Sequence, residues 1–156
     1  MGICSRALIL SLLLCLMAGA GHAGCKFDRV DLRGTWGQAQ FKVDVVDTPA
    51  TRAKGLMFVE SLPRFSGMLF VYDSEQTVGF WMKNTLIALD MIFVDGQGIV
   101  QKVHSRAKPK DKTTIFGGQN IQYVLEINAG MSNLLGIGPG TQMRHPSMIG
   151  SVWPCM

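Results

Sequence analysis

The sequence predicts a mainly β fold, built as an antiparallel sandwich or a partly closed barrel with two short helices. Six or seven short segments have the apolar pattern or composition of strands, and glycine-rich turns separate many of them. These segments follow one another closely, with no long helix to cross between parallel strands. This spacing favours antiparallel pairing.

Residues 1–23 are expected to form a secretory signal peptide that is removed. Arg6 precedes the apolar run Ala7–Met17, which is too short to span a bilayer, and small residues that suit cleavage follow it up to Ala23. An uncleaved N-terminal membrane anchor is the alternative. Cleavage leaves residues 24–156, enough for a single mainly β domain with a proper core, and no later segment is long and apolar enough to be a transmembrane helix.

Two cysteines remain in the mature chain, Cys25 and Cys155, and an exported protein lies where disulfides persist. They predict one bridge that ties the two ends together. A lipoprotein with an acylated Cys25 is the rival interpretation, because small residues precede this cysteine. Two unpaired thiols are the third interpretation.

The formal charge of the chain is +4, or +3 without Arg6. A charge of this size requires no anionic partner, and nucleic acid is not expected as a partner.

The first elements follow from local patterns. Phe41–Val45 alternates apolar and polar residues, as a half-buried strand does. Thr48 can cap a helix, Pro49 suits its first turn and Gly55 suits its end, so a helix of about two turns is expected here. Further strands are predicted at 67–72, 78–84 and 89–94.

The second half of the chain continues in the same way. A glycine-rich turn at 95–98 precedes a return strand at 99–104, and another strand is expected at 121–127. A second short helix is predicted at 129–135, and a last strand within 137–145.

A lysine and an aspartate interrupt the apolar stretch 79–94. If residues 85–88 form a four-residue hairpin loop, Lys83 lies opposite Asp90 on the neighbouring strand. Opposite charges in this position stabilise a strand pair and help to set its register. The first hypothesis for these two residues is therefore structural.

The second hypothesis is that the same face lines a ligand pocket. Its polar groups would come from this stretch and from a later strand. The candidate residues are Trp81, Lys83, Asn84, Thr85, Asp90 and Glu126.

Five motifs stand out in the mature chain, and they are Arg52–Met57, Gly67–Phe70, Phe80–Thr85, Leu89–Phe93 and Val124–Gly130. In order and spacing they resemble the exported members of the family called domain of unknown function 192, over roughly residues 40–145. The resemblance implies a sandwich or barrel of jelly-roll type, in agreement with the strand count. It implies no established reaction, ligand or catalytic residue.

The favoured functional hypothesis is a non-enzymatic module of the cell envelope, periplasmic or secreted, that binds a small-molecule ligand, an envelope polymer or another partner. Trp81, Tyr72 and Tyr123 could stack on a sugar ring or another flat ligand. The basic stretch from Lys102 to Lys112 could meet an anionic polymer or a membrane surface. Core packing and a solvated loop would explain the same residues without any ligand.

An enzyme is the first alternative. Asp90 and Glu126 could act as an acid–base pair in a hydrolase-like reaction, helped by Lys83. The usual catalytic motifs are absent from the sequence, and no catalytic residue is assigned.

A soft-metal protein is the second alternative. Thioether sulfur suits Cu(I), and the methionines offer Met82 with Met91, or Met143 with His145. Methionine is also an ordinary filler of hydrophobic cores, so no metal site and no cofactor is predicted.

Overall fold

The computed structural model describes residues 24–155, and the predicted signal peptide lies outside them. This part of the chain contains seven strands and two short helices, which confirms the mainly β prediction. The strands are β1 (Arg29–Gly34), β2 (Gly37–Val46), β3 (Ser66–Phe80), β4 (Leu89–Val94), β5 (Val100–Ala107), β6 (Ile115–Asn128) and β7 (Gln142–Arg144). The helices are α1 (Pro49–Lys54) and α2 (Met131–Leu135).

The strands form one sheet in the order β5-β4-β6-β3-β2-β1-β7. Its edge strands approach each other at one corner, where Ile99 pairs with Gln142, so the sheet curls into a half-barrel. All neighbouring strands are antiparallel except β2 and β3, which are parallel. The expectation of purely antiparallel pairing is therefore wrong at β2 and β3, and the jelly-roll arrangement stays a prediction.

Helix α1 explains the parallel pair. The Thr48 hydroxyl accepts a hydrogen bond from the backbone N–H of Thr51 at 3.2 Å, and Gly55 ends the helix with a positive φ of 48°. The helix and the loop after it return the chain to the start of β3, so that β2 and β3 run in the same direction. The sequence predicted the helix but not its role as a crossover.

The sheet buries a hydrophobic cluster on each face. The first core contains Leu69 of β3 and Leu125 of β6. The second core contains the neighbouring Phe70 and Val124, together with Leu56 from the segment after α1. All six residues of β4 are buried because this strand contributes to both cores.

The predicted hairpin between residues 78–84 and 89–94 does not form. β3 ends at Phe80, and the segment 81–88 contains no strand. β6 lies between β3 and β4 and pairs with both, so Lys83 and Asp90 are not register partners and the predicted ion pair is wrong. A pattern within 79–94 could not reveal that a strand from much later in the chain separates its two halves.

The two ends of the described chain are joined. A disulfide links Cys25 and Cys155, as predicted, with their Cα atoms 5.5 Å apart. Strand β1, which the sequence analysis missed, pairs with β7, and Arg144 Nε donates to Asp31 Oδ2 at 2.9 Å across this pair. Between residues 24 and 155, no helix has the length and apolar character needed to cross a membrane.

Candidate functional site

Asp90 is fully buried and accepts five hydrogen bonds. Its Oδ1 accepts from the Ser105 hydroxyl at 3.0 Å and from the backbone N–H groups of Arg106 and Gly130 at 2.8 and 2.9 Å. Its Oδ2 accepts from the backbone N–H and the hydroxyl of Ser132 at 2.8 and 2.6 Å. These contacts join β4 to β5 and to the start of α2.

The electrostatics of Asp90 fit a structural role. Burial pushes the pKa of this carboxyl upward, but the hydrogen bonds from Ser132, Gly130 and Arg106 outweigh burial, and the pKa lies below its ordinary value. A carboxylate that is ionised and fully hydrogen-bonded has no capacity left for a ligand. Asp90 therefore holds the fold together, and the predicted pocket does not include it.

Trp81 and Lys83 lie together on the surface after β3. The Trp81 side chain is about half exposed, and Lys83 Nζ is 5.1 Å from the centroid of its ring. Asn84 has a positive φ of 61°, and its carbonyl accepts a hydrogen bond from the backbone N–H of Phe58 at 2.9 Å. This bond ties the segment after β3 to the segment after α1.

A cavity of about 220 Å³ opens between these two segments, on the face of the sheet that carries the second core. Three of the predicted pocket residues, Trp81, Thr85 and Glu126, line it. Lys83 and Asn84 lie between Trp81 and Thr85 along the chain without lining the cavity, and Asp90 lies on the other face of the sheet.

The cavity also contains two charged groups that the sequence analysis did not assign to a site. Arg52 and Lys54 of α1 line it, and Tyr72 of β3, which the sequence analysis proposed as a stacking residue, lies beside them. Arg52 and Lys54 belong to one of the motifs that carry the family resemblance. Their place in that motif was the one signal in the sequence that could have identified them as site residues. Their place beside Glu126 depends on the crossover through α1, which no local pattern revealed.

Arg52 is held in place by the protein itself. Its Nη1 donates to the carbonyl oxygens of Asp47 and Val71, the latter at 2.7 Å. Its guanidinium carbon lies 4.7 Å from the centroid of the Tyr72 ring. Within the described part of the chain, Arg52 has no carboxylate partner. Burial raises the pKa of Tyr72, the Arg52 charge lowers it and Glu126 raises it, so the three groups lie within electrostatic reach of one another.

Glu126 lies in the middle of β6, between Met68 of β3 and Met91 of β4. Its side chain is 4% exposed and lines the cavity. Burial is the sole cause that raises its pKa to about 8, and no described group forms a hydrogen bond or an ion pair with its carboxyl. At neutral pH this carboxyl is therefore protonated, and it can donate one hydrogen bond and accept others.

Asp90 and Glu126 cannot form the acid–base pair considered above. Asp90 is opposite Ile127 in the β4–β6 ladder, and Met91 is opposite Glu126. Because successive side chains alternate between the two faces of a sheet, the two carboxyls point to opposite faces. A single substrate could not meet both of them.

The methionine and histidine candidates all lie in the interior of the protein. Met82 and Met91 are both buried in the second core, whereas Met143 is buried in the first. His145 is buried, its Nε2 is 2.9 Å from the carbonyl of Phe27 and its Nδ1 accepts from the backbone N–H of Ser147 at 3.1 Å. Over residues 24–155, no three His, Cys, Asp or Glu side chains come together as metal ligands.

Two other groups that the sequence analysis proposed as ligand contacts, Tyr123 and the basic stretch Lys102–Lys112, do not line this cavity. Tyr123 is buried in the first core, and its hydroxyl donates to the carbonyl of Ser147 at 3.3 Å, so it cannot stack on an external ring. The basic residues Lys102 and Lys108 line an open groove along the edge strand β5, where the exposed ring of Phe116 also lies. Charged side chains on an edge strand also prevent pairing with other chains.

The chain belongs to the domain of unknown function 192 family, whose model is described as an uncharacterized ACR family and matches residues 31–145. A solved structure of a protein of unknown function from Novosphingobium aromaticivorans is 38% identical, with a TM-score of 0.73, and the match covers 74% of this chain and 83% of that one. A protein from Sinorhizobium meliloti, provisionally assigned as a transcription regulator, is 32% identical with a TM-score of 0.75, covering 81% and 99%. A comparison with curated proteins found no significant match.

Proposed function

We propose that this protein is a non-enzymatic module of the cell envelope that binds a small molecule in the cavity between α1 and the end of β3. The observation that carries the proposal is the Glu126 carboxyl, which lines the cavity wall and forms no hydrogen bond with any of the described residues, so its oxygen atoms are free to bond to a molecule in the cavity. Every side-chain oxygen and nitrogen of residues 24–155 that is sealed from solvent has a partner, so the Glu126 oxygens open onto the cavity and not into a closed core. A bound ligand would supply the missing partner.

The composition of the lining supports a small-molecule site. Ligand pockets combine apolar and aromatic walls with a few polar groups that orient the ligand. Here Phe80 and Trp81 supply aromatic surface, and Thr85 and Glu126 supply polar atoms. The volume of about 220 Å³ suits a compact ligand, because it lies below the roughly 300 Å³ at the lower end of ordinary ligand pockets.

The positions of the family motifs support the same site. The motifs Arg52–Met57, Gly67–Phe70, Phe80–Thr85 and Val124–Gly130 are far apart in the sequence, and each supplies at least one lining residue. Motifs of one family that meet around one cavity favour a shared binding role for that cavity. Core packing would account for Leu56 and Phe70 but not for the charged Arg52.

Export to the periplasm or beyond is part of the proposal. The Cys25–Cys155 disulfide supports it, since such bonds persist in oxidising compartments. The role in transcription regulation that the name of the Sinorhizobium protein provisionally gives to that protein is not extended to this chain as a DNA-binding role. The helices of the described chain have six and five residues, whereas a helix-turn-helix reads DNA with a longer recognition helix.

The test is a fragment screen by ligand-observed NMR, followed by a matched pair of blocking variants. Ala53 is exposed on α1 and lines the cavity, so Ala53→Trp should fill the cavity with little effect on folding. Ala50 is exposed on the same helix and does not line the cavity, which makes Ala50→Trp the control. We expect cavity ligands to lose binding to Ala53→Trp only.

Two results would count against the proposal. One is a screen in which no fragment shifts the backbone amide signals of the cavity. The other is a set of ligands that bind the two tryptophan variants equally well, because such ligands would occupy another surface.

A further inference from the structure

We infer that the cavity selects ligands with an oxyanion group, a carboxylate or a phosphate, which binds the Arg52 guanidinium. The inference rests on the proposed binding function and adds the chemical class of the ligand. It starts from the position of Arg52, which lines the cavity, is partly buried and has no acidic partner among the described residues.

The protein orients Arg52 without neutralising it. Nη1 is occupied by two backbone carbonyls, and the guanidinium carbon lies over the Tyr72 ring. These contacts leave Nη2 and Nε without a described partner. A guanidinium binds carboxylate or phosphate oxygens through parallel N–H groups, and fixing its orientation in advance reduces the entropy lost on binding.

The charges around the cavity favour an anion. The ionisable groups that line it are Arg52, Lys54, Tyr72 and Glu126. Arg52 and Lys54 are positive. Tyr72 and Glu126 are neutral at pH 7, because burial raises the pKa of Tyr72 and raises that of Glu126 to about 8. The lining therefore carries positive charge with no compensating carboxylate, which an anionic ligand would supply.

The neutral groups set a second requirement. The protonated Glu126 carboxyl can donate a hydrogen bond to an uncharged acceptor, such as a carbonyl or hydroxyl oxygen, and the Thr85 hydroxyl can do the same. The ligand class is thus a compact molecule with an oxyanion at one end and an uncharged acceptor at the other. N-Acetylglycine has both features and is a suitable probe.

The experiment compares an acid with its uncharged amide, because these two probes differ in charge and little in shape. N-Acetylglycine and its primary amide are titrated into the ¹⁵N-labelled protein, with phenyl phosphate as the phosphate probe. We expect the acid or the phosphate to shift the amide signals of Gly55 and Phe80, with an affinity about tenfold or more above that of the amide. Raising the ionic strength should reduce this preference.

The variants assign the preference to a residue. Arg52→Gln should reduce anion binding about tenfold or more, and Arg64→Gln, which removes an exposed arginine outside the lining, should leave it unchanged. Because Arg52 also contacts Asp47 and Val71, Lys54→Gln is a second variant that leaves these anchors intact, and a smaller loss is expected from it.

The outcomes separate this inference from the proposed function. Equal binding of acid and amide, or a fragment screen whose cavity ligands are all uncharged, would overturn the anion preference and leave the binding function standing. An unchanged preference in Arg52→Gln would remove the assignment to Arg52. A cavity that shows no amide shift with the acid, the phosphate, the amide or any fragment would overturn both.

Discussion

Replacing Glu126 by Gln should stabilise the protein at neutral and alkaline pH. Burial raises the pKa of Glu126 to about 8 in the folded protein, from 4.5 for the free side chain. Above pH 4.5 the unfolded chain has lost this proton, whereas the folded protein keeps it until about pH 8. Folding must then take up a proton, so this carboxyl lowers the stability as the pH rises.

The magnitude follows from the size of the shift. One pKa unit corresponds to about 1.4 kcal/mol, so the contribution is close to zero at pH 4.5, about 3 kcal/mol at pH 7 and about 5 kcal/mol above pH 8. Glutamine has nearly the same volume and never ionises. Glu126→Gln should therefore raise the free energy of unfolding by about 3 kcal/mol at pH 7 and change it little at pH 4.5.

Urea denaturation followed by circular dichroism, at one-unit steps from pH 4.5 to 9, measures this difference. Other titrating groups such as His145 cancel because both proteins contain them. Glu60→Gln is the control, since it makes the same chemical change at an exposed position and should alter the free energy of unfolding by no more than about 0.5 kcal/mol. A ¹³C NMR titration of the Glu126 carboxyl should have its midpoint near pH 8. A stability difference that is independent of pH, or a midpoint near 4.5, would refute the assignment of a buried, neutral Glu126.

Two further predictions concern the fold. Asp90→Ala leaves three N–H groups and two hydroxyls without their acceptor, and it should lower the free energy of unfolding by about 3–5 kcal/mol in urea denaturation, whereas Lys83→Met at the surface should change it by less than about 0.5 kcal/mol. Similar small effects of both substitutions would contradict the structural role of Asp90. Cys25→Ser with Cys155→Ser removes a bridge between residues 130 positions apart and should cost at most about 5 kcal/mol, read as a lower urea midpoint than that of the oxidised protein. The oxidised and reduced wild-type proteins should differ by the same amount, and identical midpoints for the two would argue against the bridge.

The local elements could be predicted because short-range chemistry determines them. Thr48, Pro49 and Gly55 bracket α1 as their capping and turn preferences require, and the alternation in Phe41–Val45 lies within β2. The Cys25–Cys155 disulfide followed from counting the cysteines that would remain after the predicted signal cleavage. Strand β1 was missed because Arg29–Gly34 is a short segment with a weak apolar pattern. Only two of its six residues, Val30 and Leu32, are fully buried.

The family resemblance came from motifs that can be read along the chain, and the match over residues 31–145 confirms it. The motifs identified most of the residues that surround the cavity, but not which of them share a face. Asp90 and Glu126 belong to two different motifs, and both have buried carboxyls. One is an ionised structural residue, and the other is a neutral group in the wall of a cavity.

The sequence by itself determined the mainly β class, the two short helices, the disulfide and the family. Each depends on residues close together in the chain or on simple counts. Only the tertiary structure decided that β6 inserts between β3 and β4, that β2 and β3 run parallel, and that Arg52 meets Glu126 at one cavity. The physical reason is that strand order results from competition among many similar apolar strands for long-range pairing. Local propensity does not distinguish these pairings, and a different neighbour changes the surroundings of every side chain along the strand.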